Sequence, residues 1–266
     1  MVVLFTQRFQ NTSTGRKDEM NTDRILSKLD EYFQKNDYVG AERHLKYWLD
    51  EAKSLDDQRS VLLICNELIG LSRKTIQETK TFEYTEQALN ILKHLDIESS
   101  TAAATTYINI GTAYKAFGKP EASLPFFEKA KVIYERELEA SDSRLGGLYN
   151  NMALTFSDLK RFDEAYSMYA RALDIMKYAE RGELEQAITH LNIASTLETE
   201  KGALDADEEI NEQLIIAQGL LDTYATATDG YYAFVCEKCA SVFGYYGYFL
   251  YENELKERVK SIYEGS

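Results

Sequence analysis

Cys236 and Cys239 form a C-x-x-C pair, the spacing with which thiolates grip zinc or cycle through a disulfide. A structural zinc site needs four ligands, normally a second such pair or two histidines. The only other cysteine is Cys65, and His44, His94 and His190 are scattered along the chain. The cysteines are therefore expected in the core, with no metal site. His190 is expected to be a packed or rim residue and not a base. The acidic run Asp205, Asp207, Glu208 and Glu209 lacks the alternating ligand spacing of a calcium loop. It suits the start of a helix, where carboxylates meet the positive end of the helix dipole. No phosphate-cradling glycine loop, nucleophile elbow or H-E-x-x-H motif occurs. Neither an enzyme nor a cofactor is expected.

Amides recur instead. Asn109 and Asn151 stand 42 residues apart and Asn192 follows 41 later, with Asn150 beside the second and Asn66 upstream of the series. An amide is both donor and acceptor. A ladder of them can pair with the main chain of an extended peptide as an added strand would. The same ladder can equally brace neighbouring helices, and both readings stand at this point. Charge is uneven along the chain: Arg73, Lys74 and Lys115 come before Asp158 and Glu198. Such a gradient would turn the acidic part of a bound peptide towards Arg73 and Lys115; the alternative is that these charges only keep the surface soluble. The candidate ligand-binding residues are Asn66, Arg73, Asn109, Thr112, Lys115, Asn150, Asn151, Asn192 and Ser195.

The elements that must carry these residues follow from self-comparison. Ala88, Ala130 and Ala172 are spaced by 42 residues, and Ile91, Ile133 and Ile175 keep the same step. Upstream, YINIGTAY (107–114) aligns with YNNMALTF (149–156) at 42 and with HLNIASTL (190–197) 41 later. Each unit reads as two helices. Tyr107, Ile110, Gly111 and Tyr114 make one apolar stripe at helical period, Gly118 breaks it, and Phe127, Ala130 and Ile133 make the next. The small residues Gly111, Ala153 and Ala194 let helix axes approach closely. Only two prolines, Pro120 and Pro125, interrupt 266 residues, so long helices are allowed.

These residues resemble the tetratricopeptide repeat (TPR). One unit supplies Tyr107, Ile110, Gly111, Tyr114, Ser123, Phe127 and Ala130 to its pattern; the next supplies Tyr149, Met152, Ala153, Phe156, Ala165, Tyr169 and Ala172. A third keeps Ile193, Ala194, Leu197 and Ala206. The 42-residue step is similar to the long TPRs of kinesin light chains and bacterial relatives. The resemblance implies an all-α fold, a right-handed α-solenoid of five to six helix pairs, with units near 22–56, 62–97, 104–140, 146–181, 187–222 and 232–264. Residues 1–20 fall outside it and are expected to be disordered. It further implies that first helices line a concave groove and that the candidate residues face into it. Cys65, Cys236 and His190 fall at its bulky core position. A chaperone-tail carboxylate clamp is not expected, because the clamp's asparagine position holds Asp30, Gly70, Thr112, Leu154 and Ser195.

Composition narrows the partners. Lys and Arg total 30 against 44 Asp and Glu, a formal net charge of −14. That opposes contact with nucleic acid backbones or anionic lipid. No apolar run is long enough to span a membrane, the opening MVVLFTQRFQ is too short for a secretory leader, and three cysteines suit a reducing cytoplasm. The expected function is a non-catalytic scaffold that binds a peptide or protein segment in its groove. The alternative is a peptide-sensing regulator that relays a conformational change. Between Tyr231 and Tyr251 nine residues are aromatic. Tyr231, Tyr232, Tyr245, Tyr246 and Tyr248 form either a homodimer surface or an oversized internal junction.

Overall fold

A computed structural model describes residues 20–264; the expectation of disorder before that point concerns residues that, Met20 apart, lie outside those described. The described residues contain twelve α-helices and no strand. They divide at residue 137 into two compact units. The first holds α1 (Thr22–Gln34), α2 (Tyr38–Ser54), α3 (Gln58–Lys74), α4 (Glu78–His94), α5 (Thr101–Ala116) and α6 (Pro120–Glu137). The second holds α7 (Ser143–Asp158), α8 (Phe162–Met176), α9 (Gly182–Lys201), α10 (Asp207–Asp222), α11 (Gly230–Tyr245) and α12 (Phe249–Glu264). Within each unit consecutive helices pair antiparallel and successive pairs stack. The first helices α3 and α5 touch in one unit, and α7, α9 and α11 touch in the other. This is the helix-pair stacking of an all-α solenoid.

α1 begins at the expected residue 22, and the later first helices begin a few residues ahead of the repeat boundaries expected from the aligned apolar positions. At α3, α5, α7 and α11 the start is set by a side-chain cap, which spacing alone does not reveal; α9 has none. Asp57 accepts from the Ser60 amide at 3.0 Å, Ser100 from Ala103 at 3.1 Å, and Asp142 from Arg144 at 2.9 Å. Asp229 accepts from both Tyr231 and Tyr232. Each satisfies amides that a helix start leaves open.

The turn inside each pair carries one residue of positive φ, and all but that at Gly202, where ψ is 153°, close in the same way. Asn36, Ile76, Gly118, Lys160, Gly202 and Gly247 all have positive φ, between 53° and 86°. At Ile76 the Gln77 amide reaches back to the Ser72 carbonyl at 2.8 Å and the Ile76 amide to Arg73 at 3.1 Å. That paired closure ends a helix through one left-handed residue. Glycine supplies the positive φ at three of the six positions; the others hold side chains in a backbone region they rarely adopt.

Packing within the pairs follows the small-residue reading. A Cβ on Gly111 would sit 2.7 Å from the ring of Phe127, itself 0% exposed. α5 and α6 can approach this closely only because the side chain is missing. Burying a ring of that size contributes roughly 1.5–3 kcal/mol. Cys65, Cys236 and Cys239 lie in the two cores. Burial pushes the Cys65 thiol up to about 12, and those of Cys236 and Cys239 also upward. Pro120 opens α6, where its missing N–H costs nothing, and α6 runs through Pro125 to Glu137.

Candidate functional site

The asparagines lie on the first helices, and most of their amides are bonded to neighbouring protein groups. In the first unit Asn66 Nδ2 donates to the Leu62 carbonyl at 2.9 Å and to Thr106 Oγ1 at 3.0 Å. Its Oδ1 accepts from Asn109 Nδ2 at 2.9 Å. In the second unit Asn150 Nδ2 donates to Thr189 Oγ1 at 2.8 Å and Asn151 Nδ2 to the Gly147 carbonyl at 3.1 Å. Asn66–Thr106 and Asn150–Thr189 are therefore one brace between successive first helices, repeated once in each unit. Thr112 Oγ1 is likewise turned back to the Ile108 carbonyl at 2.7 Å.

Asn192 differs. It is 2% exposed, and its Nδ2 has no hydrogen-bond partner. It lines a groove of about 320 Å³ in the second unit, together with Leu191, Ser195 and Glu198 of α9. Leu154 of α7 closes one side; Ser241, Val242 and Tyr245 of α11, with Tyr246 at its C-cap, close the other. The Glu198 carboxylate is fixed in this wall by two phenols. Tyr245 donates to Oε1 at 2.7 Å and Tyr246 to Oε2 at 2.8 Å. Both tyrosines are pushed up. The hydrogen bond to Glu198 is the main cause for Tyr245, and burial followed by that bond for Tyr246.

The basic candidates occupy the first unit. Arg73 Nε is shut from solvent with no partner, and burial draws the guanidinium down to about 10. Lys74 places its ammonium 4.8 Å from the Tyr38 ring centroid, and Lys115 is half-buried. The structure thus brings Asn192 and Ser195 together in one groove and joins Asn66 to Asn109.

Comparison with known proteins identifies two of the helix pairs. Residues 103–143 and 147–175 match two family models, each described as a tetratricopeptide repeat. The chain carries tetratricopeptide repeats. The crystal structure of BtubC (BKLC) from P. vanneervenii is similar over 75% of this chain and 80% of that one, at 22% identity and a TM-score of 0.64. Nearly identical TPR-like repeats of kinesin-light-chain type from Podosopora anserina, in the crystal structure of a single-residue variant, are similar over 74% of this chain and 92% of that one. There the identity is 14% and the TM-score 0.50. No curated protein sequence matches the chain. These likenesses, at low identity, establish the TPR fold.

Within the second unit's repeats the aromatic surplus is tied down internally. Tyr231 donates to Glu185 at 2.6 Å, Tyr248 to Asn211 at 3.1 Å and Tyr251 to Asp222 at 2.9 Å. Tyr232 is fully buried and accepts from Arg258 at 2.8 Å. Tyr245 and Phe249 surface, at 70% and 63% exposure. His190 pairs with Gln213 at 2.7 Å, and burial holds its imidazole below the ordinary histidine range. Reasoning from the repeat pattern put Leu154 at a groove-facing position but did not single out Leu191, Ser241 or Val242 as groove walls. The signal that could have found them was their offset from the aligned apolar stripes. On α11 that offset was obscured, because the last repeat is a flanking unit where the pattern is weaker. Among the described residues no helix is long and apolar enough to cross a membrane.

Proposed function

We propose that this protein is a non-catalytic interaction scaffold that binds an extended peptide or protein segment against the first helices of its second unit. One observation carries the reading: the groove is walled by α7, α9 and α11 and by no second helix. First helices are the inner wall of a TPR stack, where a guest replaces solvent without disturbing the core. The groove mixes apolar walls with an unpartnered amide and a fixed carboxylate, which suits a chain carrying both main-chain polar groups and side chains. The groups that catalysis would call on are otherwise engaged. The thiols are buried and pushed up, and His190 is held by Gln213.

Site-specific photocrosslinking tests this. A random-sequence peptide library is offered to the full-length chain carrying a photoreactive residue at Ser241, inside the groove, or at Ile215, exposed on α10. Peptides captured at Ser241 and not at Ile215 are the expected result. Equal capture at both, or none at Ser241, overturns the reading.

A further inference from the structure

We propose that the groove selects a basic residue, lysine or arginine, in the bound segment, with Glu198 as its counter-ion; this rests on the groove-binding reading above. Glu198 is held ready for such a partner. One phenol occupies each carboxylate oxygen, at 2.7 and 2.8 Å, which sets its orientation and leaves further lone pairs on both oxygens. No lysine or arginine among the described residues pairs with it. The basic residue next along α9, Lys201, is bound to Glu209 at 2.7 Å. Among the described residues nothing basic lines the groove, so an acidic guest would meet a carboxylate with no compensation.

The remaining walls fit the rest of a basic residue. Leu154, Leu191 and Val242 offer apolar surface to the methylene stem, as long cationic side chains require. Asn192 is a lining residue whose Nδ2 is buried without a partner, and a small shift of its side chain would offer that donor to a main-chain carbonyl. A buried donor in that state gains most from a guest acceptor. The phenols also argue against a metal ion. They are spent on Glu198, leaving one carboxylate where a cation site needs several oxygen ligands. The chain's net charge of −14 would draw basic segments towards the surface.

The test selects random peptides on full-length wild type, on Glu198→Gln and on Asp174→Asn. The last removes one negative charge from the second helix α8, where Asp174 is exposed. Wild type and Asp174→Asn are expected to enrich lysine or arginine at one register position, and Glu198→Gln to lose that enrichment. For a selected peptide, acetylating the lysine or replacing arginine by citrulline should weaken wild-type binding about tenfold. It should change binding to Glu198→Gln little. The ligand-side substitution gives the same answer if Glu198→Gln does not fold. Selected peptides with no basic preference, or a preference that falls equally in both variants, overturn the proposal and leave groove binding intact. A chain that selects no peptide overturns both.

Discussion

Asn109 Nδ2 donates to Asn66 Oδ1 across 2.9 Å, joining α5 to α3 through two buried amides. Asn66 passes the connection on to Thr106. The residues most suggestive of peptide recognition are, in the first unit, satisfied by each other. A buried amide that is fully paired holds neighbouring helices in one register, because sliding either helix would strand its partner. Asn192 on the same repeat scaffold contrasts with it, since its buried Nδ2 is unpaired.

Asn66→Ala should therefore destabilise the fold by about 2 kcal/mol, since it leaves Asn109 buried without its acceptor. Asn109→Ala should cost less, because Asn66 retains Leu62 and Thr106. Denaturant unfolding of the two single variants and the double should show a clear shortfall from additivity. Strict additivity would mean that the two amides do not act as one brace.

Much of this arrangement was legible beforehand, for a physical reason. Side chains that pack between helices must recur whenever the helix pair recurs, so Ala88, Ala130 and Ala172 report the step directly. Gly111 reported close approach because its substitution would meet Phe127. The caps and turns were less legible. Asp57 and Ser100 lie outside the apolar stripes, and the left-handed turn position holds Ile76 and Lys160 as readily as glycine. The groove was legible only in part. Asn192 and Ser195 follow from repeat position, but whether an amide is paired depends on the next helix. That helix, α11, lies in a flanking unit where the repeat pattern is weaker.

Two glycine substitutions should move stability in opposite directions. Alanine is the better helix former by about 1 kcal/mol. At Gly219, exposed on α10 with nothing near a new Cβ, that gain should be realised. At Gly111 the methyl meets the Phe127 ring at 2.7 Å, and overpacking of about 1–3 kcal/mol should outweigh it. Thermal melts should show Gly219→Ala above wild type and Gly111→Ala below it. A rise in both would show that α5 and α6 have room to spare.

Ile76 is a β-branched residue at φ 59° and 81% exposed. Its left-handed backbone costs about 1–2 kcal/mol, and its side chain loses little burial if removed. Ile76→Gly should stabilise by roughly 0.5–1 kcal/mol after the extra freedom of glycine in the unfolded chain is counted. Ile76→Val keeps the branched side chain and should give no gain. Equal melting points for Ile76→Gly and wild type would indicate that the turn carries no strain.

Acid should weaken the first unit through Glu42. Its carboxylate accepts from Lys46 at 2.8 Å on its own helix and from Lys80 at 2.7 Å on α4. These bonds hold its pKa well below the ordinary 4.5, at about 2. The unfolded chain therefore takes up this proton first. The contribution to stability is complete above the unfolded value and is lost as pH falls through the folded one. Solvent reaches the cluster, so screening keeps the effect near 1 kcal/mol. Melting temperatures followed from about pH 5 down to about pH 3 should fall more steeply for wild type than for Glu42→Gln, which has no proton to gain. Lys80→Met removes one of the two ammonium groups and should give an intermediate slope. Parallel curves for all three would show that the cluster contributes nothing to the acid sensitivity of the fold.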